Sequence, residues 1–198
     1  MIHISIEGMD GVGKSTTCQK LAEALNYKFV EKPLHYLLDD SEDDITQYQK
    51  VAKKVNSNPN RNFTSWYYGL NNIYLYELFK DQNIVTDRHI VSNYCWSGTD
   101  YNQDIYKLIL KKIGKPKLTV ILYATPETIY NRLKKRDVND SDLVKVNKSE
   151  KAYERMIYFC ETYKLEYMVI DTSNKNIDEV VNLILERIKE IDKNEEYN

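Results

Sequence analysis

The chain has no apolar run approaching the roughly 18 residues of a membrane span, no Cys-x-x-Cys pair, no repeat and no large charge surplus. Each absence removes a class of protein. Nothing reads as a transmembrane segment, and Met1-Ile2-His3-Ile4-Ser5-Ile6 is too short and polar for a signal peptide. The cysteines are Cys18, Cys95 and Cys160, odd in number and far apart. They fit neither a zinc site nor a disulfide framework, and they suggest a reducing, cytoplasmic setting. A formal net charge of -2 is too small to draw in nucleic acid or a membrane surface. Without basic stripes, the 17 tyrosines read as core and boundary residues rather than a stacking platform for single strands. A length of 198 residues suits one domain, 1–198.

What is present is an alternation of β and α patterns. Ile2, Ile4 and Ile6 at period two predict a first strand, and Cys18, Leu21, Ala22 and Leu25 predict a helix after a turn. Lys28–Val30, Ile84–Thr86, Leu118–Tyr123 and Tyr167–Ile170 read as four more strands. Ser41 and Asp44 resemble a capping box before Ile45, Tyr48, Ala52 and Val55. The run 56–60 breaks that helix. Phe63–Lys80 is apolar on several sides and predicts a largely buried helix. Thr125-Pro126 is a helix start, with Thr as cap and Pro in the first turn. Further helices follow around Tyr153–Cys160 and Ile177–Ile188, with a frayed tail from Asp192. The pattern predicts an α/β fold with a mostly parallel five-stranded sheet covered on both faces, ligands lying beyond the strands' carboxyl ends.

The sharpest motif is Gly8-Met9-Asp10-Gly11-Val12-Gly13-Lys14-Ser15, which matches G-x-x-x-x-G-K-[ST]. Glycines let backbone N–H groups approach phosphate oxygens, and the following helix adds its positive end. Lys14 places a charge on the outer phosphates, and Ser15 offers a hydroxyl oxygen to Mg²⁺. The loop alone suits kinases, GTPases and motor ATPases. Asn174-Lys175-Asn176-Ile177-Asp178 misses the guanine-reading N-K-x-D spacing by one, and the short chain favours a small-molecule kinase.

On these residues the chain resembles the thymidylate kinase family over most of its length, and more distantly the deoxynucleoside kinases. Glu7 to Ser15 fits the family's E-G-x-[DE]-x-x-G-K-[ST]. The resemblance implies a three-layer P-loop kinase fold, with a helical lid near residues 136–147. It implies ATP and Mg²⁺, with Gly8, Gly11, Val12, Gly13, Thr16 and Arg132 joining Lys14 and Ser15 around the nucleotide. It gives Asp10 the sugar 3′-hydroxyl. Asp87-Arg88-His89 looks like D-R-[YH]: Asp87 holds Mg²⁺ with Ser15, Arg88 bridges donor and acceptor phosphates, and His89 is structural. Trp96 stands at the aromatic wall of the base pocket. Tyr68 falls on a base-stacking position, and Asn72 falls where the family has an Arg that holds the acceptor phosphate. Lys32 stands near another phosphate-contacting Arg of the family, and Glu31 matches the base that takes the 5′-hydroxyl proton in nucleoside kinases. The phosphate loop has no Arg, which places Arg132, Arg136 and Lys135 as lid cations. The implied reaction is transfer from ATP to dTMP or a similar pyrimidine nucleotide. A deoxynucleoside kinase using Glu31 and a non-catalytic ATP-binding module are the alternatives, and a homodimer stays open.

Overall fold

Five parallel strands set the frame. In the computed structural model, which describes residues 1–38 and 44–196, they are β1 (His3–Gly8), β2 (Lys28–Glu31), β3 (Ile84–Asp87), β4 (Leu118–Tyr123) and β5 (Tyr167–Asp171). They form one sheet in the order β2-β3-β1-β4-β5, with every pairing parallel. All of β1 is buried, including Ser5 and Glu7, because a central parallel strand is covered on both faces. The register sets Ile6 and Glu31 opposite Asp87 from either side. Gly8, Glu31 and Asp87 therefore share the carboxyl edge of the sheet, where open parallel sheets bind ligands.

Eight helices flank the strands among the described residues: α1 (Lys14–Leu25), α2 (Asp44–Asn56), α3 (Arg61–Leu78), α4 (Ile90–Ser97), α5 (Gln103–Ile113), α6 (Pro126–Arg136), α7 (Ser149–Thr162) and α8 (Ile177–Glu196). Short 3₁₀ segments occupy Pro33–Leu37 and Ser141–Lys148. Thr125 caps α6 by accepting a hydrogen bond from the Thr128 N–H, with Pro126 in the first turn, as its sequence predicts. Ser41, the expected cap of α2, lies outside the described residues.

Two expectations are corrected, and two helices are added. The tail from Asp192 is not frayed as far as Glu196. It continues α8, and Asp192 and Glu195 hold the Lys117 ammonium at 2.5 and 2.9 Å. Helix α3 is not buried all round. Phe63, Trp66, Leu70 and Ile73 form an exposed stripe, with Leu70 51 % exposed, while Thr64, Ser65, Asn72 and Leu75 face inward. Finally, α4 and α5 were not anticipated as helices.

Those two helices fix α3 over the sheet. Ser65 of α3 takes a hydrogen bond from Asn102 Nδ2 at 3.0 Å and meets the Tyr106 hydroxyl at 2.9 Å. Asn93 of α4 donates to the Ser65 carbonyl at 3.1 Å. Buried and mutually satisfied, this polar knot specifies one seating for α3. Gly69 completes it, since a Cβ there would fall 2.7 Å from Ile109 Cδ1. From α7, Arg155 donates to the carbonyls of Tyr94, Cys95 and Gly98, satisfying the free end of α4.

At the end of β1, Gly8 has φ 142°, and a Cβ there would lie 2.5 Å from the Leu122 carbonyl oxygen. Gly8→Ala is expected to lower the unfolding free energy by about 1–3 kcal/mol from backbone strain alone. Chemical denaturation measures it, and wild-type stability in the variant would contradict this packing.

Candidate active site

The phosphate loop runs from the end of β1 into α1. Gly11 and Gly13 both have positive φ, and no acidic residue lies in the first turn of α1. The positive end of the helix is thus open to an anion. Lys14 is buried, its ammonium donating to the Met9 carbonyl at 2.8 Å and lying 3.6 Å from Asp10. Burial, with Arg88 nearby, holds its pKa below the usual lysine value. Ser15 and Thr16 are exposed at the first turn, and the Ser15 hydroxyl donates to Asp87 at 2.6 Å. Val12 is buried under the loop, and its carbonyl accepts from Thr172.

Arg88 joins loop, sheet and cleft. Its backbone sits at φ 73°, with its N–H on the Ile6 carbonyl at 2.9 Å. Its guanidinium donates to the Gly8 carbonyl at 3.0 Å, to Ser92 at 3.3 Å and to Asp10 at 2.7 Å. Burial works against both charges of the Asp10–Arg88 pair. Attraction outweighs it, so the Asp10 carboxyl is held well below the usual carboxylate range and the guanidinium stays firmly protonated.

Glu7 underlies this arrangement. It is fully buried and accepts from the His89 N–H at 2.9 Å, the Ser92 N–H at 3.2 Å and the Ser92 hydroxyl. It therefore serves as a cap for α4 supplied from β1. Burial pushes its pKa up to about 7, against the opposing pull of the Ser92 hydrogen bond and Arg88.

Beyond the loop lies a cleft of about 560 Å³. Asp10, Asp87 and Arg88 reach it from the sheet edge, Lys32 from the turn just past β2, Tyr68 and Asn72 from α3, and Trp96 from α4. The structure thus brings together residues that are scattered in sequence. The Lys32 ammonium lies 2.7 Å from Glu31, which engages the Glu31 carboxylate. The Tyr68 hydroxyl donates to Asn56 at 2.7 Å. Asn72 is buried, and His89 also lines the cleft.

The lining residues not singled out from sequence include Tyr48, Arg61, Lys145 and Lys148. Arg61 and Lys148 have no ion-pair partner among the described residues. Arg61 carried a readable signal, because a cation in the first turn of a helix opposes the helix dipole.

The basic end of α6 behaves differently. Arg132 donates to the Thr172 carbonyl at 2.6 Å and its hydroxyl at 3.1 Å, and reaches the Gly11 carbonyl at 3.5 Å. It buttresses the phosphate loop from outside. Arg136 is held by Asp140 at 2.5 Å and Asp142 at 3.5 Å, and lies outside the cleft lining. The segment 141–148 closes one side of the cleft through Asp142, Lys145 and Lys148.

A phosphate loop at the carboxyl edge of a 2-3-1-4-5 parallel sheet, with an acid and a half-buried Arg facing a cleft, defines a P-loop phosphotransferase. The thymidylate kinase family model matches residues 6–184, and the chain belongs to that family. It is 26% identical to a probable thymidylate kinase of Methanococcus maripaludis, over 95% of this chain and 97% of that one. It is 27% identical to a thymidylate kinase of Mycoplasma capricolum, over 97% and 98%. Among solved structures, thymidylate kinase from Candida albicans superposes with a TM-score of 0.67 at 20% identity, covering 95% of this chain and 91% of that one. Deoxyadenosine kinase from M. mycoides gives 0.64 at 19%, covering 95% and 100%. Both share the fold.

Glu7 makes stability depend on pH. Folded, it keeps its proton up to about pH 7, whereas its ordinary pKa is 4.5. Folding takes up a proton between those values, so this group removes stability as pH rises through that window. Unfolding free energy followed from about pH 5 to 8 is expected to decline. Glu7→Gln should flatten that slope whatever its effect on the absolute level, and an unchanged slope would show that Glu7 is ionised throughout.

Proposed function

We propose that this chain is an ATP-dependent nucleoside monophosphate kinase that transfers the γ-phosphoryl group of ATP to dTMP or a close pyrimidine nucleotide. The observation that carries the reading is the cationic lining of the cleft. Arg88, Arg61, Lys145 and Lys148 face it, and Arg61 and Lys148 lack carboxylate partners among the described residues. Such a lining suits an acceptor that already bears phosphate. For a neutral nucleoside, Glu31 would have to act as base, yet its carboxylate is engaged by Lys32.

In this reading ATP lies with its outer phosphates on the loop from Gly8 to Thr16, against Lys14. The Ser15 hydroxyl and Asp87 carboxylate, 2.6 Å apart, fit Mg²⁺, which takes one or two protein oxygens and completes its shell from phosphate and water. When bound, the ion neutralises charge between the β- and γ-phosphates. Asp10 takes the sugar 3′-hydroxyl, and Tyr68 and Trp96 flank the base. Lys32 and Arg88 hold the acceptor phosphate. Its oxygen attacks the γ-phosphorus in line, and the bond to the bridging oxygen breaks, releasing ADP. Arg88, already aimed by Gly8, Ser92 and Asp10, needs little reorganisation to meet the charge on the transferring oxygens. Residues 136–147 act as lid, with Arg136 as its cation, while Arg132, one turn earlier on α6, braces the phosphate loop against it. Arg136 must exchange Asp140 for phosphate as the lid closes.

The whole chain, 1–198, acts as one domain. Its cysteines are free and buried, in keeping with a cytoplasmic setting, and no described helix is long and apolar enough to cross a membrane. The stripe of Phe63, Trp66, Leu70 and Ile73 supports a homodimer through α3.

The test is ADP release from ATP against a panel of nucleosides and nucleoside monophosphates. dTMP is expected to be turned over and thymidine to be poor. Lys14→Ala should cut the rate by about 10²–10³ with the thermal transition intact. Faster turnover of thymidine, abolished by Glu31→Gln, would give the chain to the nucleoside kinases. Near-normal turnover by Lys14→Ala would end the kinase reading.

A further inference from the structure

Two polar side chains at the cleft have unsatisfied nitrogens. Asn72 is 1 % exposed, and its Nδ2 has no hydrogen-bond partner. His89 is 3 % exposed, and neither of its ring nitrogens has one. Both residues line the cleft. Tyr76 links them: it lies one helical turn beyond Asn72 on α3, and its ring meets His89 edge-on at 5.6 Å. Burying a donor or acceptor without a partner is costly, so this floor gains stability from a ligand that brings complementary groups.

The neighbours of Asn72 define the ligand's shape. Tyr68 lies one turn earlier on the same face of α3 and also lines the cleft. An aromatic ring and a buried amide, one turn apart, suit a flat heteroaromatic ring that lies against Tyr68 and turns its polar edge to Asn72. A phosphate is the poorer match, because a neutral amide brings no charge to a buried anion. The cations Arg88, Arg61 and Lys148 are available to the phosphate elsewhere on the lining.

We propose that Asn72 reads the base edge of the acceptor, and that its amide makes the site accept both keto and amino pyrimidines. This rests on the nucleotide-kinase reading above and adds a substrate range to it. An amide carries a donor and an acceptor side by side, and a half-turn of the group exchanges them. Thymine presents an N–H beside a carbonyl, and cytosine presents a ring nitrogen beside an amino group. One orientation of Asn72 pairs with each. No hydrogen bond from Nδ2 holds the amide in one orientation. An Arg at this position would offer donors only and could not accept from thymine N3–H or the cytosine amino group.

The test is calorimetric binding, without ATP, of dTMP, dCMP and 3-methyl-dTMP, which lacks the N–H of thymine. Wild type should bind dTMP and dCMP within about tenfold of each other. It should bind 3-methyl-dTMP roughly 10- to 100-fold more weakly than dTMP, the loss expected for unpaired buried partners. In Asn72→Ala, dTMP and dCMP should both weaken and the discrimination against 3-methyl-dTMP should collapse. A dCMP affinity more than about a hundredfold below that of dTMP in wild type overturns the proposal without use of any variant. Unchanged dTMP affinity in a folded Asn72→Ala overturns it as well. Failure of every nucleoside monophosphate to bind wild type would instead remove the kinase reading, and this inference with it.

Discussion

The site hangs on one half-buried guanidinium. Arg88 holds a left-handed backbone, a conformation that costs a non-glycine residue about 1–3 kcal/mol, and it persists because its surroundings over-determine it. Its N–H is fixed to β1, and its side chain reaches the loop carbonyl of Gly8, the α4 hydroxyl of Ser92 and the loop carboxylate of Asp10. Three elements are thereby set in one register. Lysine cannot replace this fork, since a point charge on a flexible stem cannot address three separated acceptors.

The charges around Arg88 are balanced rather than merely paired. Glu7, Asp10 and Asp87 lie near Lys14 and Arg88, and the two inner carboxylates are driven in opposite directions. Asp10 meets the guanidinium directly and stays ionised. Glu7 lies deeper, and hydrogen bonds from the α4 terminus only partly offset its desolvation. Two carboxylates three residues apart in sequence thus serve as a charge facing the cleft and a strut beneath it.

Much of this was legible in the sequence where local rules suffice. The phosphate loop is read from residue types at fixed spacing, and Thr125-Pro126 announces α6. The strands stand out as short β-prone runs. Helix α4 was not legible because Ile90 to Cys95 is buried throughout, so it lacks the polar face that makes a period visible. Helix α5 did carry a signal: Ile105, Tyr106, Ile109 and Leu110 recur at helical spacing, and Gly114 follows its end. Helix α3 was misjudged for a different reason. Apolar residues on many faces suggest burial, but no sequence rule says which face the Ser65 knot turns inward. Within the site, the identities of Asp10, Asp87 and Arg88 were readable. The unsatisfied amide of Asn72 was not, because satisfaction is a property of tertiary neighbours. Tyr48, Lys145 and Lys148 come from segments whose approach to the cleft is set only by packing.

Helix α3 turns Tyr68 and Asn72 toward the cleft and Trp66, Leu70 and Ile73 toward solvent, on opposite sides of one rod. The rod is clamped by the Ser65 knot and the close approach at Gly69, so it shifts as a unit rather than bending. Any surface that docks on the outer stripe would share a lever with the inner face. If that surface is a second copy of the chain, filling one cleft would alter the affinity of the other, and homotropic cooperativity would follow from the two-sidedness of a single helix.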